Sequence, residues 1–206
     1  MLDKLMTPIA HRVLSPLVTL ANRMGVSPDQ VTILGFILGM ACVPALYFQQ
    51  WTTALLLIVL NRVCDGIDGE LARRQNSQSD AGGFLDICLD FLFYAAVPFG
   101  FILADPEANA IAGAALIVAF IGTGSSFLAF AIMAERYKLE RVQFANKSFH
   151  YLNGLTEGSE TIGFFILFCL FPHYFAWLAW LFALACAITI ATRIGGGYAT
   201  LRRIHD

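Results

Sequence analysis

Charge is scarce in this sequence. Only 14% of its 206 residues are Asp, Glu, Lys or Arg, 58% are hydrophobic and mean hydropathy is +0.68. Soluble domains carry about 25% charged residues, so the balance excludes a water-soluble globule and points to an integral membrane protein. A basic surplus is missing as well: 13 Lys and Arg against 15 Asp and Glu leave a net charge of -2, which offers no footing for a nucleic-acid partner. Cysteine pairs are absent. Cys42, Cys64, Cys88, Cys169 and Cys186 stand singly in apolar surroundings without a C-x-x-C, and read as packing residues rather than a disulfide framework or a zinc site. The four histidines, His11, His150, His173 and His205, are dispersed without ligand spacing. Residues 1–25 contain Asp3, Pro8, Arg12, Pro16 and Arg23 and lack a continuous apolar core, so no cleaved signal peptide is expected.

Long apolar runs are abundant. A spanning helix needs about 20 mostly apolar residues, and six segments approach that length, at about 31–48, 52–72, 82–104, 109–134, 156–171 and 174–200. The expected fold is therefore all-α: six transmembrane helices over 28–203, preceded by an interfacial amphipathic helix and linker over 1–27, as a single membrane domain across 1–206. Leu5, Ile9, Val13, Leu17 and Leu20 recur at the three- and four-residue steps of such an interfacial helix. In "SPDQ", Ser27 is placed to cap, Pro28 to open and Gln30 to complete a capping box, so the first crossing starts near residue 28. Gly35 and Gly39 form a G-x-x-x-G suited to close helix packing, and packing is also the reading for Gly113, Gly122 and Gly124. Trp51, Trp177 and Trp180 read as interfacial anchors, and Gly195, Gly196 and Gly197 as a loosening of the last helix.

Basic residues give the orientation. Lys4, Arg12 and Arg23 precede the first crossing; Arg62, Arg73 and Arg74 lie in or beyond the second half of the second; Arg136, Lys138, Arg141 and Lys147 fall between the fourth and fifth; and Arg193, Arg202 and Arg203 end the sixth. The other connections, "QQW", "DPEAN" and "FPHY", hold none, which places both termini on the cytoplasmic side, in the inner membrane of a bacterium. At about 1.5 Å per residue, Asp65 in the second crossing and Asp90 in the third both lie roughly 20 Å from the outer boundary.

These aspartates are out of place in lipid, where each costs roughly 2.5–3.5 kcal/mol near mid-depth. Asp65 and Asp68 share one face of the second helix, and Asp86 and Asp90 share one face of the third. Adjacent antiparallel helices would gather all four, so either a cation sits among them or some are protonated. Hard oxygen ligands suit Mg²⁺ or Mn²⁺, ions that commonly bridge to phosphate oxygens, and this points to a phosphate-bearing substrate. Gly66, Gly69, Ala72, Gly82 and Gly83 clear side chains from the stretch, either for a bulky ligand or for helix packing, and Arg73 adds a forked donor suited to phosphate. Arg62, one turn before Asp65, is either a structural partner of the aspartates or a substrate contact, and Asp80 is placed to cap the third helix.

Residues 65–90 match D-x-x-D-G-x-x-A-R-x8-G-x3-D-x3-D at every fixed position: Asp65, Asp68, Gly69, Ala72, Arg73, Gly82, Asp86 and Asp90. The stretch resembles the signature of the CDP-alcohol phosphotransferase family, and "VSPDQVTILG" resembles that family's entry to its first helix. The resemblance implies an enzyme that transfers the substituted phosphate of a CDP-linked donor to an acceptor hydroxyl and releases CMP. It further implies metal ligation by Asp65, Asp68 and Asp86, with two ions of Mg²⁺ or Mn²⁺, and Asp90 both touching metal and acting as general base. Gly69, Ala72 and Gly82 would line the cytidine and diphosphate site, with Arg73 on a phosphate, in a homodimer.

For the acceptor, Glu157 and Glu160 open the fifth helix on one face, while Lys147 and Arg193 are the basic candidates nearby. Two carboxylates disfavour an anion, so the expected pair is CDP-diacylglycerol and a small alcohol without its own phosphate, with Glu157, Glu160 and Arg193 at the acceptor site. The alternatives are a choline or ethanolamine phosphotransferase, to which the "TE" of this helix bears a faint likeness, and a cation or proton transporter. A transporter would spread polar residues through the membrane depth, whereas here the outer halves of the helices are nearly free of charge.

Overall fold

The computed structural model describes residues 14–137, 156 and 158–203, and within these all regular structure is helical. After a helix over 14–23 (α1) come α2 (Pro28–Met40), α3 (Cys42–Tyr47), α4 (Trp51–Gln75), α5 (Asp80–Ala104), α6 (Pro106–Arg136), α7 (Gly158–Leu170), a 3₁₀ turn (Pro172–Tyr174) and α8 (Phe175–Arg202). Four stretches among the described residues are long and apolar enough to cross a membrane: Pro28–Tyr47, Asp80–Ala104, Pro106–Arg136 and Pro172–Arg202. The protein is membrane-integral. α4 has the length but carries six charged side chains, Arg62, Asp65, Asp68, Glu70, Arg73 and Arg74, and α7 is 13 residues long.

The helix ends follow local chemistry. Ser27 and Gln30 form the expected capping box, with the Gln30 N–H donating to Ser27 Oγ at 3.3 Å and the Ser27 N–H donating to Gln30 Oε1 at 3.0 Å. The first crossing is divided at Ala41, where Pro44 in the first turn of α3 has no N–H to continue the α2 ladder. The cap of α5 is Ser79, whose Oγ accepts from the Gly82 N–H at 3.0 Å; Asp80, expected in that role, is the first residue inside the helix. The three glycines expected to loosen the last helix do not interrupt it, and α8 runs through Gly195–Gly197 to Arg202.

Small residues set the close approaches. A Cβ added at Gly35 would fall 2.7 Å from Cys64 Cβ, and one at Gly39 would fall 2.8 Å from the Phe93 ring and 2.9 Å from Asn61 Nδ2, so this pair lets α2 lie directly on α4. Gly113, Gly122 and Gly124 likewise receive Ile102, Ile190 and Phe91. Gly66 belongs to the same class: a Cβ there would meet Leu14 Cδ1 of α1, so it serves helix packing and not the approach of a ligand.

Two apolar clusters result. The larger draws on α3 to α8, with Leu46, Ile58 and Leu116 packed among Phe93, Phe101, Phe165, Phe168, Phe175 and Phe182, and with Phe101 and Phe175 stacked at 4.4 Å. Trp51 stacks on Phe101 at 5.6 Å within this layer, while Trp177 and Trp180 are exposed as anchors would be. The smaller cluster, Val18, Val31 and Leu71 with Leu14 and Ala21 against it, fastens α1 onto α2 and α4. Arg74 reinforces it by donating to Thr19 Oγ1 and Ser15 Oγ, both at 2.9 Å. Leu17 and Leu20 of α1 stay exposed, whereas Leu5, Ile9 and Val13 lie outside the described residues. Along α2 and α4 the polar residues occupy the interval between these two clusters.

Candidate active site

The polar interval contains the four aspartates. One carboxylate oxygen from each of Asp65, Asp86 and Asp90 lies within 4.8 Å of the others, so α4 and α5 do bring their acidic faces together. Asp68 is more deeply placed, 6% exposed, and accepts from Thr32 Oγ1 of α2 at 2.6 Å. All four line one narrow crevice together with Thr32, Gly35, Asn61 and Arg62. Like charges this close are mutually repulsive, and hard carboxylate oxygens in such a cluster fit a divalent Mg²⁺- or Mn²⁺-type ion.

A larger cleft of about 200 Å³ adjoins the crevice and shares Thr32, Asp68 and Asp86 with it. Gly69, Ala72, Arg73 and Gly82 line this cleft, with Ser77, Gln78 and Ser79 of the α4–α5 link and Asp29 of α2. Sequence reasoning missed Asp29 and Thr32, which come from another helix and are brought in only by the α2–α4 packing. The Arg73 guanidinium is steadied by Glu70 at 3.0 Å and remains half exposed at the cleft wall.

The two glycines differ in how much room they leave. At Gly69 the first atom a Cβ would meet is Arg73 Nη1, at an ordinary 3.8 Å, whereas at Gly82 the Asp29 carboxylate stands at 3.2 Å and Ser79 Oγ at 3.3 Å. If Gly69 lines the donor site, as the resemblance implies, Gly69→Ala projects a methyl into the cleft and should raise the donor KM several-fold, while the thermal midpoint holds or rises because Ala replaces Gly inside α4. Steady-state kinetics beside a melting curve check this, and an unaltered KM would take Gly69 out of the donor site.

Arg62 is the partner of the acidic cluster. It grips both oxygens of Asp90 and stands 3.6 Å from Asp65 Oδ2. Tyr94, one turn beyond Asp90, also donates to Asp90 Oδ2, at 3.4 Å. Its i+4 spacing from Asp90 was the available sequence signal. A Cβ on Gly158 would lie 3.8 Å from Tyr94 Oη, so the start of α7 stands beside the carboxylates. Glu160 is half-buried in that first turn, and Glu157 lies outside the described residues, as does Lys147. Arg193 of α8 donates to the Thr123 carbonyl at 3.2 Å and lies over the Phe127 ring at 5.5 Å, bridging α8 to α6.

A family model described as CDP-alcohol phosphatidyltransferase matches residues 25–191. The chain belongs to that family. It is thus a membrane-integral transferase of phospholipid biosynthesis. Inner membrane protein YnjF of Escherichia coli (strain K12) is 52% identical to this CDP-alcohol phosphatidyltransferase over 205 residues, covering 100% of this chain and 99% of its own. The bifunctional IPC transferase and DIPP synthase of Archaeoglobus fulgidus is 30% identical over 89% of this chain, which spans 36% of that longer protein. Among solved structures, Mycobacterium tuberculosis phosphatidylinositol phosphate synthase with CDP-DAG bound superposes with a TM-score of 0.67 at 20% identity, covering 91% of this chain and 94% of that one. The same mycobacterial protein in complex with manganese and citrate gives 0.60 at 19% identity, over 90% and 88% of the two chains. These likenesses show a shared fold, and the ion-transport alternative gains no support from any of them.

Proposed function

We propose that the protein transfers the phosphatidyl group of CDP-diacylglycerol to the hydroxyl of a small alcohol. One observation carries the reading: the polar cleft opens onto the carboxylate crevice through Asp68 and Asp86, so a diphosphate seated along Gly69, Ala72 and Gly82 reaches the acidic cluster. Arg73 at the cleft wall supplies a forked donor for a phosphate oxygen. Asp65, Asp68 and Asp86 would hold Mg²⁺ or Mn²⁺, two ions with Asp90 touching, and bound metal supplies positive charge at the diphosphate oxygens, easing departure of CMP. Asp90 accepts the acceptor's hydroxyl proton as the alcohol oxygen bonds to the lipid-bearing phosphorus; the bond to the CMP oxygen breaks and its electron pair leaves with CMP.

The acceptor in this reading carries no phosphate of its own. The Arg193 guanidinium is engaged with α6, and Glu160 stands in the first turn of α7, where an acidic side chain disfavours an anionic acceptor. A phosphorylated acceptor is the second reading, favoured by the likeness to mycobacterial phosphatidylinositol phosphate synthase. α4, 25 residues and so about 37 Å long, together with α7 adds two crossings to the four apolar ones, giving six after an N-terminal interfacial helix. The chain forms one domain across 1–206, with 1–27 at the interface and 28–203 as the bundle. Both termini and the site face the cytoplasm, and the protein works as a homodimer.

The test is CMP release by purified protein from radiolabelled CDP-diacylglycerol with Mg²⁺ or Mn²⁺ and a panel of acceptors, neutral alcohols beside glycerol 3-phosphate and inositol phosphate, with CDP-choline plus diacylglycerol as a further arm. Metal-dependent release with a neutral alcohol is expected. Efficient use of a phosphorylated acceptor, lost on Arg193→Ala, would reverse the acceptor assignment, and silence with every donor would remove the activity.

A further inference from the structure

We infer that Arg62 is a positioning residue, which fixes the carboxylate of Asp90 for proton transfer and does not itself contact substrate. This rests on the assignment of Asp90 as general base. Arg62 Nε donates to Asn61 Oδ1 at 2.7 Å, Nη2 donates to Asp90 Oδ1 at 2.5 Å, and Nη1 reaches both Asp90 Oδ2 and Tyr94 Oη at 3.4 Å. With these donors committed, the guanidinium has no pair of parallel N–H groups left to fork a phosphate. Its platform is rigid: Asn61, 4% exposed, donates to the Gly35 carbonyl at 2.9 Å, and the guanidinium carbon lies 5.1 Å from the Phe93 ring centroid and 5.6 Å from that of Tyr94. The Arg62 side chain is only 15% exposed.

A two-pronged grip sets the plane of the Asp90 carboxylate as well as its position, which a single contact would not do. Oδ1 is held tightly, whereas the contacts to Oδ2 are long, leaving Oδ2 the oxygen able to receive the proton. Angstrom-scale misplacement of a reacting group costs about 10²-fold in rate, and without Arg62 the Asp90 side chain regains its torsional freedom. A lysine keeps the charge but has no fork, so charge and geometry are separable.

The experiment compares Arg62→Gln, Arg62→Lys, Tyr94→Phe and Asp90→Asn in purified protein, reading kcat, donor KM and thermal midpoint, together with Mn²⁺ affinity by paramagnetic resonance in the absence of donor. Arg62→Gln and Arg62→Lys should each lower kcat about 10²-fold with donor KM within about twofold, and Tyr94→Phe should give a smaller loss in the same parameter. Arg62→Gln should also tighten Mn²⁺ binding, because it removes a positive charge beside Asp65, whereas Arg62→Lys keeps that charge and should leave Mn²⁺ affinity near the parent value while still losing kcat, which separates charge from geometry. A full rate in Arg62→Lys would overturn the geometric role, and a loss expressed in donor KM would make Arg62 a substrate contact instead. Should Arg62→Gln fail to fold, normal kcat in both Arg62→Lys and Tyr94→Phe overturns the proposal. Full activity in Asp90→Asn would defeat the Asp90 assignment itself, whereas an inactive Asp90→Asn beside a normal Arg62→Gln would defeat only the positioning role.

Discussion

Asp90→Asn lowers turnover by about 10²–10⁴-fold, the usual size of general-base loss, while CDP-diacylglycerol binding is retained. Asparagine has nearly the same shape, and its amide oxygen still accepts from Arg62, so the α4–α5 contact survives. What disappears is an oxygen basic enough to take the acceptor's proton. Asp65 stays 3.6 Å from the Arg62 guanidinium, so the buried cation is not left without a partner. The cleft proposed for the donor is lined by Asp68 and Asp86, and Asp90 is not among its lining residues, which is why KM for the donor should hold. Turnover and donor affinity measured side by side decide the matter, and near-normal turnover would strip Asp90 of the role.

Asp65→Asn acts on the metal instead. Asp65, Asp86 and Asp90 form the tight carboxylate cluster, and replacing one removes a full negative charge a few ångströms from where a divalent ion would sit. A pair of unit charges at 4 Å is worth about 4 kcal/mol at an effective dielectric of 20. If Asp65 holds metal as proposed, then with the amide oxygen compensating in part, Mn²⁺ affinity should fall on the order of 10²-fold, and excess Mg²⁺ should restore part of the rate. Titration of activity against metal concentration reads this out directly. A metal dependence identical to that of the parent protein would reject Asp65 as a ligand.

What the sequence made legible was whatever depends on spacing within one helix. The i, i+3 and i, i+4 pairs of aspartates, the Ser27–Gln30 box and the Gly35–Gly39 pair all turned out where helix geometry puts them, because a single 3.6-residue period governs each. The Ser79 cap was missed by one position, since Ser and Asp are nearly equal cap formers and only the backbone turn chooses between them. Contacts between distant helices were silent. Thr32 meets Asp68 across 36 positions of sequence, and Gly66 meets Leu14 across a still wider gap, and neither pairing leaves a local pattern. Arg62 was visible as a neighbour of Asp65, but its choice of Asp90 depended on how α4 and α5 face each other.

The polarity of α4 bears on how the protein is made as well as on how it works. A helix whose C-terminal portion carries Arg62, Asp65, Asp68, Glu70, Arg73 and Arg74 has little tendency to leave a translocation channel for lipid alone, since each charge placed near mid-depth costs roughly 2.5–3.5 kcal/mol. Its polar groups are satisfied by neighbours: Asp68 by Thr32 of α2, Arg62 by Asp90 of α5, and Asn61 by the Gly35 carbonyl. If α4 crosses the membrane as proposed, its insertion should be tied to the arrival of α5 and to docking on α2, which supply those partners. The residues proposed for the chemistry are the same ones whose polar groups need partners on α2 and α5, so a signature substitution is expected to lower the amount of inserted protein as well as its rate, which membrane-fraction yield beside specific activity would separate.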